Sequence, residues 1–293
     1  MLDPSPITLP PPLADVTGYL LRRAYLRVLE VVGDTLAGRQ PARHLAVLMA
    51  LDMAAAPVSQ RWLAGTLGLN RTVMGRLVEE LERDGLVTRE RSAEDRRAYA
   101  LRTTPQGLDA VSRATPELDR SDAELTVHLS PRERARLNEL LRELLAADPD
   151  RRIPEVLADR SAFLITQAHL LMRSLADDAL RPLGIEARHF GALAVASALG
   201  PCSQQQVAKA LGVTPPVVVP IVDELEALEL IRRERNPADR RSYALRLTPA
   251  GERTLSEARR RHDLLPQGVF DGRQAAGGPE LRALLRQLLG AES

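Results

Sequence analysis

From residue 71 to 81 the apolar residues Met74, Leu77, Val78 and Leu81 recur at i, i+3, i+4 and i+7. That spacing predicts a helix with one buried stripe, and it turns Arg71, Thr72, Gly75, Arg76 and Glu79 outward. Upstream, Leu13 to Leu36 gathers Arg23, Arg27, Glu30 and Asp34 on one stripe and is largely apolar elsewhere, so a long helix buried on several sides is expected. Pro41 to Met53 reads as a second helix and Ser59 to Leu67 as a short third. Gly68, Leu69 and Asn70 turn the chain into the helix of residues 71–81, which Gly85 ends. Leu86 to Glu90 and Ala98 to Arg102 read as two short strands joined by the charged loop Arg91 to Arg97. Thr104 with Pro105 starts a fifth helix, and Ser130, Pro131 and Glu133 start a sixth by a capping box with proline at the first helical position.

The same pattern then returns. Shifting the chain by 239 − 95 = 144 positions lays DRRAYALRTTPQG, Asp95 to Gly107, over DRRSYALRLTPAG, Asp239 to Gly251. Between Pro57–Gly107 and Pro201–Gly251, 25 of 51 positions are identical without a gap, so the chain is one domain written twice. The expected boundaries are a first domain over 1–147, a linker over 148–154 and a second domain over 155–293. The linker, Asp148 to Pro154, spans at most about 24 Å when extended. Five prolines before Leu13 read as an extended arm, and Ser203 with Gln206 makes a capping box for the third helix of the second copy.

Composition narrows the function class. Of 293 residues 44% are hydrophobic and 27% charged, and no apolar run approaches the roughly 18 residues that span a bilayer. No membrane association is expected. The start Met1, Leu2, Asp3, Pro4 has no signal character and Cys202 is the single cysteine, which together point to a cytoplasmic protein. Aromatics at 3% leave the cores to Leu, Ala and Val, favouring a mostly α fold with small β-hairpins. One of the 40 basic residues is a lysine, Lys209, a skew that GC-rich coding explains. The net charge of +1 lacks the overall basicity of many nucleic-acid binders, so any DNA-binding reading rests on where the charges sit.

Short helix, tight turn, helix with polar outward residues and a hairpin with arginines at its tip is the layout of a winged helix-turn-helix. Arginine suits bidentate bonding to guanine in the major groove, and wing arginines suit the narrow minor groove. The run from Thr72 to Glu82, then Gly85-Leu86-Val87, Asp95-Arg96-Arg97 and Thr104-Pro105-Gln106-Gly107, resembles the recognition helix and wing of MarR-type transcriptional regulators. The resemblance extends over nearly the whole chain, twice. It implies that each copy matches one subunit of the family's homodimer, so that a monomeric chain would act as an intramolecular pseudo-dimer on double-stranded DNA. It places base-reading positions on Asn70, Arg71, Thr72, Gly75 and Arg76, and wing contacts on Asp95, Arg96 and Arg97. In the second copy the wing matches at Asp239, Arg240 and Arg241, whereas Pro215, Pro216, Val219 and Pro220 replace the polar positions of the recognition helix. Pro220 is expected to kink that helix, and its valines can touch only thymine methyls.

Other chemistry has less support. Cys202 reads as an ordinary buried thiol, and His44, His128, His169, His189 and His262 form no close ligand pair, so neither a metal site nor a cofactor is expected. Nucleotide-loop and nucleophile-elbow motifs are absent from the sequence, and no enzyme is expected. The family resemblance implies a small aromatic effector bound near Tyr19, Tyr25, His44 and Met49 in one copy and Phe163, His169 and His189 in the other, with differences such as Tyr25 against His169 making two unequal pockets. Regulation by such a ligand would make the protein a ligand-responsive repressor. The alternative reading is a duplicated protein-interaction module without specific DNA binding, presenting Val217, Val218 and Val219 to a partner.

Overall fold

The computed structural model describes residues 13–35, 41–54, 56–91, 99–148, 151–236, 239–269 and 277–291. Among them one order of elements occurs twice. The first copy runs α1 (Thr17–Thr35), α2 (Ala42–Asp52), β1 (Val58–Ser59), α3 (Gln60–Thr66), α4 (Arg71–Arg83), β2 (Val87–Arg91), β3 (Tyr99–Thr103), α5 (Pro105–Leu125) and α6 (Pro131–Leu145). The second runs α7 (Ser161–Leu180), α8 (Ala187–Leu199), α9 (Gln204–Leu211), α10 (Pro215–Ala227), β4 (Ile231–Asn236), β5 (Asp239–Leu247), α11 (Pro249–Val269) and α12 (Gly277–Leu288). The mostly helical fold with small hairpins read from the sequence is the one observed.

Local chemistry sets the boundaries. Ser59, Asn70 and Thr104 accept from the backbone N–H groups of Trp62, Val73 and Gly107, and capping boxes start α6 at Ser130 and α9 at Ser203. Gly107 and Gly251 open α5 and α11 where no side chain fits. A Cβ there would lie 2.3 Å from the carbonyl oxygen of Leu86 and 2.0 Å from that of Leu230. Pro220 does not interrupt α10, which continues from Pro215 to Ala227. It stands early in the helix and is exposed, so the carbonyl of Pro216 that loses its N–H partner faces water.

Two strand details depart from the sequence reading. Val58–Ser59 adds a third strand to the first hairpin, pairing with Leu101 and Ala100, in the order β1-β3-β2. In the second copy Cys202 makes only an isolated bridge to Leu245. The loop expected through Asp239 to Arg241 also runs as strand, because Asn236 pairs with Asp239 after an irregularity at Arg235.

The compact units do not follow the repeat boundary. One comprises Met1–Arg23 with Met172–Ser293, the other Ala24–Leu171. The first unit's core therefore takes Leu13 and Tyr19 from the first copy and packs them with Leu193, Val207, Val218, Val222 and Leu225 of the second. In the other unit Phe163, at the start of the second copy, packs against the core of Leu48, Leu63, Met74, Val78 and Leu81. The same exchange appears in polar contacts. Arg142 donates to the carbonyl of Ala158 and pairs with Asp159 at 2.7 Å, while Arg286, its equivalent 144 positions on, does the same to Ala14 and Asp15.

Candidate nucleic-acid interface

Each unit presents a helix-turn-helix whose turn needs a left-handed glycine, Gly68 at φ +61° and Gly212 at φ +66°. In α4 Met74, Leu77, Val78 and Leu81 are buried, as the periodicity predicts, and this leaves Arg71, Thr72 and Arg76 exposed on the opposite face. Asn70 spends its side-chain oxygen on the cap, a 2.8 Å bond from the Val73 N–H, so only its amide nitrogen remains to donate elsewhere. Gly75 is half-buried where α3 comes close, and a Cβ there would sit 3.3 Å from Gln60 Nε2. Its role in this structure is to let the two helices approach.

In α10 the buried set is Val218, Ile221, Val222 and Leu225. Val218 is therefore core and not part of an outward valine surface. It lies at i−3 and i−4 to Ile221 and Val222 and takes the place Met74 has in the first copy. Pro215, Pro216 and Pro220 are exposed, with Val217 47% and Val219 41% accessible.

Ion pairs hold each helix to its surroundings at equivalent positions. Arg89 on β2 meets Glu82 of α4 at 2.8 Å, and Arg233 on β4 pairs with Glu226 and Asp223 of α10. Burial works against the Arg233 charge, but the hydrogen bond to Asp223 and the charge of Glu226 outweigh it and raise its pKa. On the other flank His44 of α2 lies 2.9 Å from Glu80 of α4, and His189 of α8 lies 2.7 Å from Glu224 of α10, where Arg188 adds a second contact at 2.9 Å. His189 Nδ1 accepts from the Glu186 N–H, which leaves Nε2 as the donor to Glu224. These two imidazoles, expected near an effector, tie α2 to α4 and α8 to α10.

The turns are held in turn by the other copy's first helix. Tyr19 donates its hydroxyl to the Ala210 carbonyl at 2.7 Å and Arg22 donates to Leu211 at 3.0 Å, with the Arg23 guanidinium against Gly212. Burial raises the Tyr19 pKa and lowers that of Arg22. In the other unit Gln167 donates to the Leu67 carbonyl at 2.9 Å and Arg151, from the linker, bonds Gln167 at 2.6 Å and closes over Gly68. Met49 is buried, and Tyr19 and Phe163 serve the cores. Tyr25 and His169, read from the sequence as members of two unequal pockets, stack on one another, ring centroids 4.6 Å apart, although they occupy equivalent positions in the two copies.

The wings are described in part. Asp95, Arg96 and Arg97 lie outside the described residues, as do the side chains of Asp239, Arg240 and Arg241. Next to them the structure shows a feature the sequence reading overlooked. Tyr99 and Tyr243, each 56% exposed, pair across the hairpin with Arg91 and Arg235, which places a phenol beside a guanidinium near each tip. Their identity in both copies of the repeat was the available signal. Cys202 is buried, and its thiol is pushed up to about 11 by that burial. Among the described residues no group of three or more His, Cys, Asp or Glu is placed to hold a metal, and no helix is long and apolar enough to cross a membrane.

Comparison with known proteins gives a consistent set of relatives. A model of the MarR family matches residues 37–98 and 183–242, once in each copy. A 139-residue stretch is 30% identical to a protein of Thauera aromatica designated a transcriptional regulatory protein for the hcr operon, covering 47% of this chain and 84% of that one. Among solved structures the chain is similar to a MarR-family transcriptional regulator from Rhodococcus sp. RHA1, with 27% identity, 46% of this chain, 96% of the other and a TM-score of 0.43. It is also similar to CouR from Rhodococcus jostii RHA1 bound to p-coumaroyl-CoA, with 27% identity, 47% and 98% coverage and a TM-score of 0.42. Each of these relatives is matched nearly whole by about half of this chain.

Proposed function

The chain belongs to the MarR family of DNA-binding transcriptional regulators, and we propose that a single chain occupies its DNA site as a pseudo-dimer, without a second chain. The observation that carries this reading is the reciprocal exchange at equivalent positions. Arg142 reaches across the linker to Ala158 and Asp159, and Arg286 reaches back to Ala14 and Asp15. Each copy thus finds in its own chain the contacts a subunit would otherwise seek in a partner. Light scattering at micromolar concentration should report the chain mass of 32.1 kDa. Twice that mass would overturn the proposal.

In this reading α4 and α10 each enter the major groove, and the wings, with Arg97 and Arg241, lie along the adjoining backbone or minor groove. Hydrogen-bond readout belongs to the first copy, through Arg71, Thr72 and Arg76. Mobility shifts should weaken steeply with salt, since phosphate contacts release counterions, and Arg97→Ala or Arg241→Ala should make that dependence shallower. Regulation fits a repressor released by a small aromatic effector. Tyr19 and Gln167, on the first helices, also hold the turns of the reading heads, so a ligand disturbing either contact would change how a head is presented. Exposed Val217 and Val219 favour a second reading, a protein-interaction module without specific DNA binding. Binding to a partner through those valines alone would be nearly indifferent to salt.

A further inference from the structure

We infer that the second reading helix recognises thymine, through contact of Val219 with a C5-methyl group of the major groove. This rests on the placement of α4 and α10 proposed above and adds what the second one reads. The site then has one half selected by arginine hydrogen bonds and another selected by apolar contact.

The backbone that would present Val219 is sound. α10 is continuous and buries Val218, Ile221, Val222 and Leu225, the same four positions by which α4 is seated on its own core. Its outward face is therefore aimed as the outward face of α4 is, with Pro216, Val219 and Pro220 standing where the first copy has Thr72, Gly75 and Arg76.

The chemistry of that face leaves only apolar readout. Prolines carry no backbone N–H and valine side chains no polar atom, so Pro215, Pro216, Val217, Val219 and Pro220 offer no side-chain hydrogen bond. The major-groove donors and acceptors of A·T and G·C pairs alike go unpaired under such a face, so they discriminate nothing. Thymine alone places an apolar group in the major groove, so its methyl is the one feature of the base edges that Val219 can reward.

Lys209 of α9 and Arg235 of β4, on elements that pack beside α10, are exposed cations suited to the phosphates that border a major groove.

The test uses the full chain and a duplex selected from a random pool. The halves of the duplex are assigned by cleavage from an iron chelate tethered to the variant Arg91→Cys, Cys202 being buried. Replacing thymine by deoxyuridine removes only the methyl. In the half under the second copy the contacted thymine should lose about fourfold in affinity, the equivalent of one buried methylene, while the half under the first copy should change little. The variant Val219→Ala, at an exposed position, should abolish the uracil effect while leaving the fold and the arginine-read half intact.

Equal losses in both halves, or none in the second, would overturn the inference. In the latter case the arginine-read half still stands and the valine face is left for a protein partner. If no duplex is enriched at all, the proposed single-chain DNA binding fails, and this inference with it.

Discussion

The first reading helix begins on Asn70, whose side chain caps it, and shows Arg71, Thr72 and Arg76 to solvent. The second begins on Thr214, whose side chain makes no cap bond, and shows three prolines and two valines. Behind both faces four equivalent residues are buried, and equivalent ion pairs, Arg89 with Glu82 and Arg233 with Glu226, fix the helix to its wing. Packing constrains the inward positions, because a change of one methylene there is felt through the core. The outward positions carry no such penalty. The two copies have therefore kept one scaffold while their chemistry towards a ligand has separated from polar to apolar.

The shared scaffold can be broken most severely at Gly107 and Gly251. Gly107→Ala and Gly251→Ala each drive a Cβ into a backbone carbonyl, and each should cost about 3 kcal/mol in urea unfolding. Tolerance at one site alone would show that the two heads are built differently. Next in size is the difference between the faces. Arg76→Ala should weaken DNA binding by roughly 1 to 3 kcal/mol and relax preference at one base position. Pro220→Ala, its equivalent, should leave binding to the same duplex nearly unchanged. That variant should raise stability by on the order of 1 kcal/mol, because the new N–H can bond the Pro216 carbonyl, and a fall in melting temperature would contradict the helix described here.

A pH-dependent difference separates Cys202 from Val58, its counterpart in the first head. With the folded thiol titrating near 11, above its ordinary value of 9.0, the neutral form favours the folded state. The stability it confers is complete below about pH 9 and is lost as pH rises through 11. Unfolding followed from pH 8 to 11 should show this decline, and Cys202→Val should remove it. Rapid alkylation of the native thiol at pH 8 would mean that the burial is wrong.

What could be read from the sequence was local. A period of 3.6 residues separates Met74, Leu77, Val78 and Leu81 from Arg71 and Arg76 within three turns, and a cap is legible over four residues, as at Ser130 and Glu133. Two residues, Val58 and Ser59, are too few to show a strand period, so β1 escaped notice. Val218 was obscured by valines on both sides, although counting back from Ile221 and Val222 places it inside. The pairing of His44 with Glu80, 36 residues apart, has no periodic trace, and neither has the stacking of Tyr25 on His169. The largely apolar faces of the first helix said that it would be buried, but not that its beginning would join the far copy. That choice depends on which surface it meets in three dimensions.

This crossing has a consequence for how the chain is made. Residues 24–171 form one uninterrupted stretch, so that unit can close as soon as it leaves the ribosome. The other unit cannot. Tyr19 is synthesised 191 residues before its acceptor Ala210, and at 5 to 20 residues per second that separation is a wait of about 10 to 40 s. During it the apolar side chains of Leu13 and Tyr19 have no core to enter. Maturation should therefore be sequential, with the continuous unit forming first and the earliest residues translated among the last to be buried.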